Sequence, residues 1–186
     1  MKALPFLIIS VLIFVFFSCN NHISSNSKLV QIDNNKFEFE LPKDSKEFEG
    51  ELKNSLIEMN SNILYLALCG TKNSRYWFSV SKYISEYKTS IEEAFIESVL
   101  TTTNLDVNDT LKDNYRLVDF KIYHIKEKTL RYKISEHFDK VYTLMYYFMK
   151  DDYSNELYEI KATADTNNLP EVLKFLEKVA LSVKIK

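Results

Sequence analysis

Four stretches in the second half of the chain carry side chains that alternate in polarity or are apolar throughout, and they leave little choice of fold. In Tyr115–Ile125, YRLVDFKIYHI, Val118, Phe120 and Ile122 alternate with Asp119 and Lys121. In Thr129–Phe138, TLRYKISEHF, Leu130, Tyr132 and Ile134 alternate with Arg131 and Lys133. Glu156–Ala164, ELYEIKATA, alternates Tyr158 and Ile160 with Glu159 and Lys161. Val141–Lys150, VYTLMYYFMK, is denser and reads as a more buried strand. A period of two sends successive side chains to opposite faces of a sheet. Consecutive strands with short links must run antiparallel, because a parallel return needs a long crossover.

The first half adds strands of the same kind. Phe37 and Phe39 alternate with Lys36, Glu38 and Glu40, and Leu41-Pro42 ends that run. Asn62–Gly70, NILYLALCG, is almost wholly apolar, as in a strand covered on both faces. Arg75–Ile84, RYWFSVSKYI, follows after TKNS, and the two read as a hairpin. Helices are expected at three places. Phe48, Leu52, Leu56 and Met59 recur at helical spacing over 47–59. Ser90 and Glu93 form a capping box, with Ile91, Phe95, Val99 and Thr102 on one face behind it. Pro170 suits a first helical turn, and Val172, Phe175, Leu176, Val179 and Val183 follow as a stripe. The expected fold is α+β: a mainly antiparallel sheet of about six strands packed against two or three helices, in one domain over 36–186.

Composition removes several functions. Gly50 and Gly70 are the only glycines, and they are far apart. Phosphate-cradling loops need glycines close together, so that backbone N–H groups can approach the anion. A net charge of -2 also argues against nucleic acid as a partner.

The beginning of the chain speaks of location. Lys2 precedes Ala3–Phe17, ALPFLIISVLIFVFF, an apolar run of about 15 residues. A membrane-spanning helix needs roughly 20, so the run reads as a secretory signal peptide, residues 1–18. It ends at Phe16-Phe17-Ser18-Cys19, before Asn20, Asn21 and His22. This resembles the lipobox of bacterial lipoproteins, in the relaxed form of the Bacteroidetes. The resemblance implies cleavage before Cys19 and a diacylglycerol thioether on its sulfur, with fatty-acyl chains of the palmitate kind. Two or three chains anchor durably, at about 0.8 kcal/mol for each buried CH₂. Residues 19–35 then read as the lipidated cysteine and a flexible tether. No acidic residue precedes Asp33. Surface export in that group resembles an acidic stretch after the cysteine, so the implied location is the outer membrane at its periplasmic face, with the inner membrane as the alternative. Cys69 lies in an apolar run and reads as a buried free thiol rather than a disulfide partner.

Lys36–Asp44, KFEFELPKD, resembles the opening strand and Leu-Pro of PsbP-like proteins. The order of elements is similar too: a hairpin, a helix, a long meander and a C-terminal helix. The resemblance covers Lys36 to the end. It implies a binding or assembly factor and no catalytic residues.

No residues are assigned to catalysis, metal or cofactor. His22 lies in the tether, and His124 continues the apolar face of its strand. His137 and Asp139 could share a face, but two ligands are not a complete metal site. Glu92-Glu93 and Asp151-Asp152 suit a helix start and a turn. Cys69 lacks the electropositive setting of a nucleophile. The aromatic residues Trp77, Tyr142, Tyr146, Tyr147, Phe148 and Tyr153 read mostly as core. Trp77, Tyr146, Tyr147 and Tyr153 are the candidates for a partner-binding surface, since aromatics dominate binding hot spots. The expected function is that of a membrane-anchored envelope lipoprotein that binds another envelope protein, without catalysis. An immunity lipoprotein that neutralises a toxin and an envelope hydrolase are the alternatives.

Overall fold

The computed structural model describes residues 26–49, 54–55, 61–70, 74–108, 115–125, 127–137 and 140–186. The segment 1–18 read as a signal peptide, Cys19, His22, most of the helix expected over 47–59, most of TKNS and Asp139 lie outside them. The strands are β1 (Ser27–Ile32), β2 (Phe37–Pro42), β3 (Lys46–Glu47), β4 (Ile63–Gly70), β5 (Arg75–Ser90), β6 (Tyr115–Ile125), β7 (Lys128–His137), β8 (Val141–Phe148), β9 (Tyr153–Ala164) and β10 (Lys184–Ile185). The helices are α1 (Ile91–Asn108) and α2 (Leu169–Ser182).

The four alternating runs become β6 to β9, each hydrogen-bonded antiparallel to the next. They extend a seven-stranded sheet of order β3-β4-β5-β9-β8-β7-β6. A second sheet, β1-β2-β10, is also antiparallel. The expected α+β architecture is thus present, with a second sheet and more strands than six.

The sheet has two differently covered faces. Tyr76, Phe78, Val80, Leu130, Tyr132, Leu144, Tyr146, Tyr158 and Ile160 point to one face and form the main core. Over them lie α2, through Val172, Leu176, Val179 and Ala180, and the small sheet, through Phe37 and Phe39. Phe37 stacks on Tyr158 at 4.6 Å between centroids, and Phe39 tilts against Phe78 at 5.6 Å. Residues of opposite parity, among them Lys133, Met145, Tyr147 and Glu159, face the other way, where α1 packs.

Three expectations are corrected. Ser27–Ile32 is not tether but strand β1, since Val30 and Ile32 pack on the core when paired with Phe39 and Phe37. Glu47, the first residue of the helix expected over 47–59, is instead extended with Lys46, the two pairing with Ala67 and Leu68. Helix α1 continues beyond Thr102, the last residue of its expected apolar face, to Asn108.

The β1–β2 turn follows from its composition. Asp33, Asn34 and Asn35 all have positive φ, at 51°, 55° and 64°. Asp and Asn tolerate this left-handed region better than other non-glycine residues. Asp33 then fastens the turn to the large sheet. Its carboxylate accepts a hydrogen bond from Tyr158 Oη at 2.5 Å and pairs with Lys82 Nζ at 2.8 Å. Lys82 also pairs with Glu156 at 2.9 Å.

Candidate functional site

Helix α1 starts as its sequence directs. Ser90 Oγ accepts from the Glu93 backbone N–H at 3.1 Å, and the Glu93 carboxylate accepts from the Ser90 N–H at 2.9 Å. This reciprocal cap satisfies two otherwise orphaned donors. The apolar stripe then places Phe95 and Val99 on Met145 and Tyr147 of β8. Phe95 meets the Tyr147 ring edge-on at 5.7 Å. A charge contact adds to the cap: Glu92 pairs with Arg131 of β7, which holds the Glu92 carboxyl below its usual range.

Beside this packing the helix covers a polar group. Lys133 of β7 is buried, and its ammonium donates to Ser98 Oγ at 2.6 Å, Ser98 O at 3.2 Å and Thr102 Oγ1 at 3.1 Å. An ammonium has three hydrogens, so all are engaged. It lies 5.7 Å from the centre of the Tyr147 ring. Ser98 Oγ is also 2.8 Å from Tyr147 Oη, which donates to Met145 Sδ at 3.4 Å. Burial lowers the Lys133 pKa, with Glu159 acting in the opposite direction. Burial likewise raises Tyr147 well above the usual phenol value and lifts Tyr83 to about 12, both with help from Glu159.

These groups form one wall of a cleft of about 390 Å³ between α1 and the sheet. Its floor is apolar, from Met145, Met149 and Leu157, with Ala94 on the helix side. Ser85, Thr89, Ser154 and Asn155 add hydrogen-bonding groups, and Glu97 and Glu159 add carboxylates. An apolar floor with a few fixed polar groups is the usual make-up of a ligand site.

Lys133 has no free hydrogen or lone pair while it pins α1. Cys69 lies in the other core, and burial pushes its thiol up to about 11, away from a reactive thiolate. His137 Nε2 is 2.6 Å from Thr143 Oγ1, and burial lowers its pKa. His124 Nδ1 is 2.9 Å from Thr129 Oγ1 on the exposed β6–β7 hairpin. Among the described residues, no group of three His, Cys, Asp or Glu could hold a metal ion.

The four aromatic candidates do not share a surface. Tyr146 and Tyr147 are 2% and 3% exposed and point to opposite faces, because they are adjacent in a strand covered on both sides. Tyr146 Oη lies 2.6 Å from Tyr123 Oη in the main core, while Tyr147 reaches the cleft. Trp77 and Tyr153 are 42% and 59% exposed, but belong to opposite ends of the β5–β9 pairing. Trp77 stacks on Phe48 at 4.7 Å. The sequence reading missed Lys133, Ser98, Thr102 and Glu159. Ser98 and Thr102, four apart on one helix face, were the available signal.

No protein-family model matches the chain, and no curated protein matches it at a significant level. Solved structures do. The solution structure of cyanobacterial PsbP (CyanoP) from Synechocystis sp. PCC 6803 superposes with a TM-score of 0.57 at 10% identity, covering 91% of this chain and 98% of its own. The crystal structure of LpqN, involved in cell envelope biogenesis of Mycobacterium tuberculosis, gives 0.51 at 8% identity, covering 86% and 90%. Both span nearly the whole of their own chains. With α1 on one face of the sheet and α2 with the small sheet on the other, this chain has the PsbP-like α+β fold.

Proposed function

We propose that the protein is a lipid-anchored lipoprotein of the bacterial envelope that binds another envelope protein and performs no catalysis. In this reading the leader is removed, Cys19 carries the lipid, and the domain stands at the periplasmic face of the outer membrane. The lipobox-like Phe16–Cys19 supports the anchor. The likeness to LpqN, a protein of cell envelope biogenesis, is in keeping with an envelope setting. The observation that carries the binding function is the cleft under α1, where an apolar floor lies among polar groups held in place. Its volume suits a few side chains of a partner segment.

The test fills the cleft. Ala94 is a half-buried lining residue of α1, so Ala94→Trp should occupy the space. Full chain affinity-purified from native membranes should bring a stoichiometric partner, and Ala94→Trp should lose it while keeping the native circular dichroism spectrum. Unchanged recovery of the partner by a folded Ala94→Trp variant would count against the cleft. The anchor is tested separately: Cys19→Ser should abolish acylation and move the protein from the membrane to the soluble fraction. Full membrane retention of that variant would refute the lipid attachment.

A further inference from the structure

Strand β6 is the last of its sheet, and among the described residues nothing pairs with its outer edge. It is eleven residues long. Natural edge strands are commonly short or broken, or carry charges pointing inward, because an open edge is a template for another strand. Here the residues on the α1 side are apolar. Phe120 and Ile122, opposite Lys133 and Arg131, are each about half exposed, and Val118 beside them is similar. Ile96 and Leu100, one turn apart on α1, are as exposed as these. The Phe120 ring is 6.4 Å from that of Phe95, so the strand and helix portions adjoin.

We infer that β6 pairs with β6 of a second copy of this chain, antiparallel, about a two-fold axis at Phe120. A two-fold contact must be self-complementary, and the order of residues in β6 meets that demand. With Phe120 opposite Phe120, Asp119 of each copy faces Lys121 of the other, giving two cross-strand ion pairs. Val118 faces Ile122 twice. Opposite charges and apolar pairs directly across a ladder stabilise it, and like charges there destabilise it. A shift of the axis to Ile122 sets Lys121 against Tyr123 and Asp119 against Ile125, and both ion pairs are lost. A shift to Val118 sets Asp119 against Leu117 and loses them too. An axis at Asp119 or at Lys121 sets that residue against its own copy, like charge facing like, and a slip of the ladder by one residue brings opposite faces of the two sheets together. Charge therefore selects one register.

The rest of the strand agrees. Asp119 and Lys121 have no ion-pair partner among the described residues. Lys121 rests over the rings of Tyr123 and Tyr132, at 5.0 and 5.4 Å. The irregularity in the β6–β7 ladder falls at Val118, between Leu117 and Asp119, so the Phe120 pair and both ion pairs lie on regular strand and the Val118–Ile122 contacts lie at its margin. The axis crosses the sheet, so both copies of α1 lie on the same side, with Ile96 and Leu100 flanking the junction. The product is one continuous sheet through two anchored copies. The cleft under α1 is not needed for it.

Two experiments on the full chain test this. In the proposed register the Phe120 Cα atoms of the two copies are about 4.5 to 5.5 Å apart, within disulfide reach. Phe120→Cys in native membranes should form a covalent dimer on oxidation with copper phenanthroline. Ile84→Cys, a still more exposed position on β5, should form little. Equal yields, or no dimer from Phe120→Cys, would overturn the pairing. Because Phe120 touches Phe95, a charge reversal provides a second reading. In detergent, light scattering should give the mass of two chains for the wild type and of one for Asp119→Lys. Asp119→Lys with Lys121→Asp should restore two. A monomeric wild type, an unaffected Asp119→Lys or an unrescued double variant would each contradict the register.

Discussion

Gly70→Ala should destabilise the domain by about 3 kcal/mol, from strain at a backbone angle that alanine resists together with a steric overlap. Gly70 ends β4 with φ +98°, outside the regions open to residues with a Cβ. A Cβ built there would lie 2.0 Å from the Ser74 carbonyl oxygen and 2.8 Å from Tyr76 Cε1. The first of these is backbone, so no side-chain rotation relieves it. Tyr76 is part of the main core and tilts against Phe175 of α2 at 4.9 Å, so the disturbance reaches α2. The measurement is the urea midpoint of the purified domain against wild type. A midpoint within error of wild type would mean that this turn does not require its glycine.

The second large effect belongs to Asp33. Lys82 is nearly buried, with Asp33 and Glu156 as its charge partners, and Glu156 is the more exposed of the two. Asp33→Asn keeps a side chain that tolerates the positive φ but removes the inner charge. Leaving a buried ammonium with one outer partner should cost about 3 kcal/mol, the low end for a broken buried pair. The effect depends on pH in a defined sense. The hydrogen bond from Lys82, then that from Tyr158, lowers the Asp33 pKa below its usual value. A carboxyl depressed in the folded state contributes fully above its unfolded pKa, and the contribution is lost as pH falls through the folded value. The gap between wild type and Asp33→Asn should therefore be largest at neutral pH and shrink on acidification below about pH 4. Lys82 behaves conversely. Burial alone would lower its pKa, but the bonds to Asp33 and Glu156 raise it above the usual value. Its contribution persists below the ordinary lysine pKa and is lost only as pH rises through the higher folded one. A gap that does not narrow in acid would show that Asp33 acts through geometry rather than charge.

What could be read from the sequence, and what could not, divides along the range of the interactions. The β6–β9 meander was legible because alternation is local and each run repeats it. The start of α1 was legible because Ser90 and Glu93 cap within one turn. Strand β1 was not, since Val30 and Ile32 sit in a polar, asparagine-rich stretch and gain their burial only from β2. The site was hidden for a related reason. Lys133 and Glu159 occupy the polar parity of alternating strands, which reads as a solvent face. Nothing in either strand tells that α1 roofs that face. The same roof buries Tyr147, while Tyr146 enters the other core, so the dense run Val141–Lys150 was rightly read as more buried, and of its two candidate tyrosines only Tyr147 reaches the cleft.

The cleft as working surface can be probed directly in cells. A photo-reactive phenylalanine analogue in place of Met149, on the cleft floor, should give one discrete adduct with an envelope protein on irradiation. The same analogue in place of Lys174, exposed on α2 across the sheet, should give none. Adducts from Lys174 alone, or from neither position, would contradict the account that this protein works by holding a partner beneath α1.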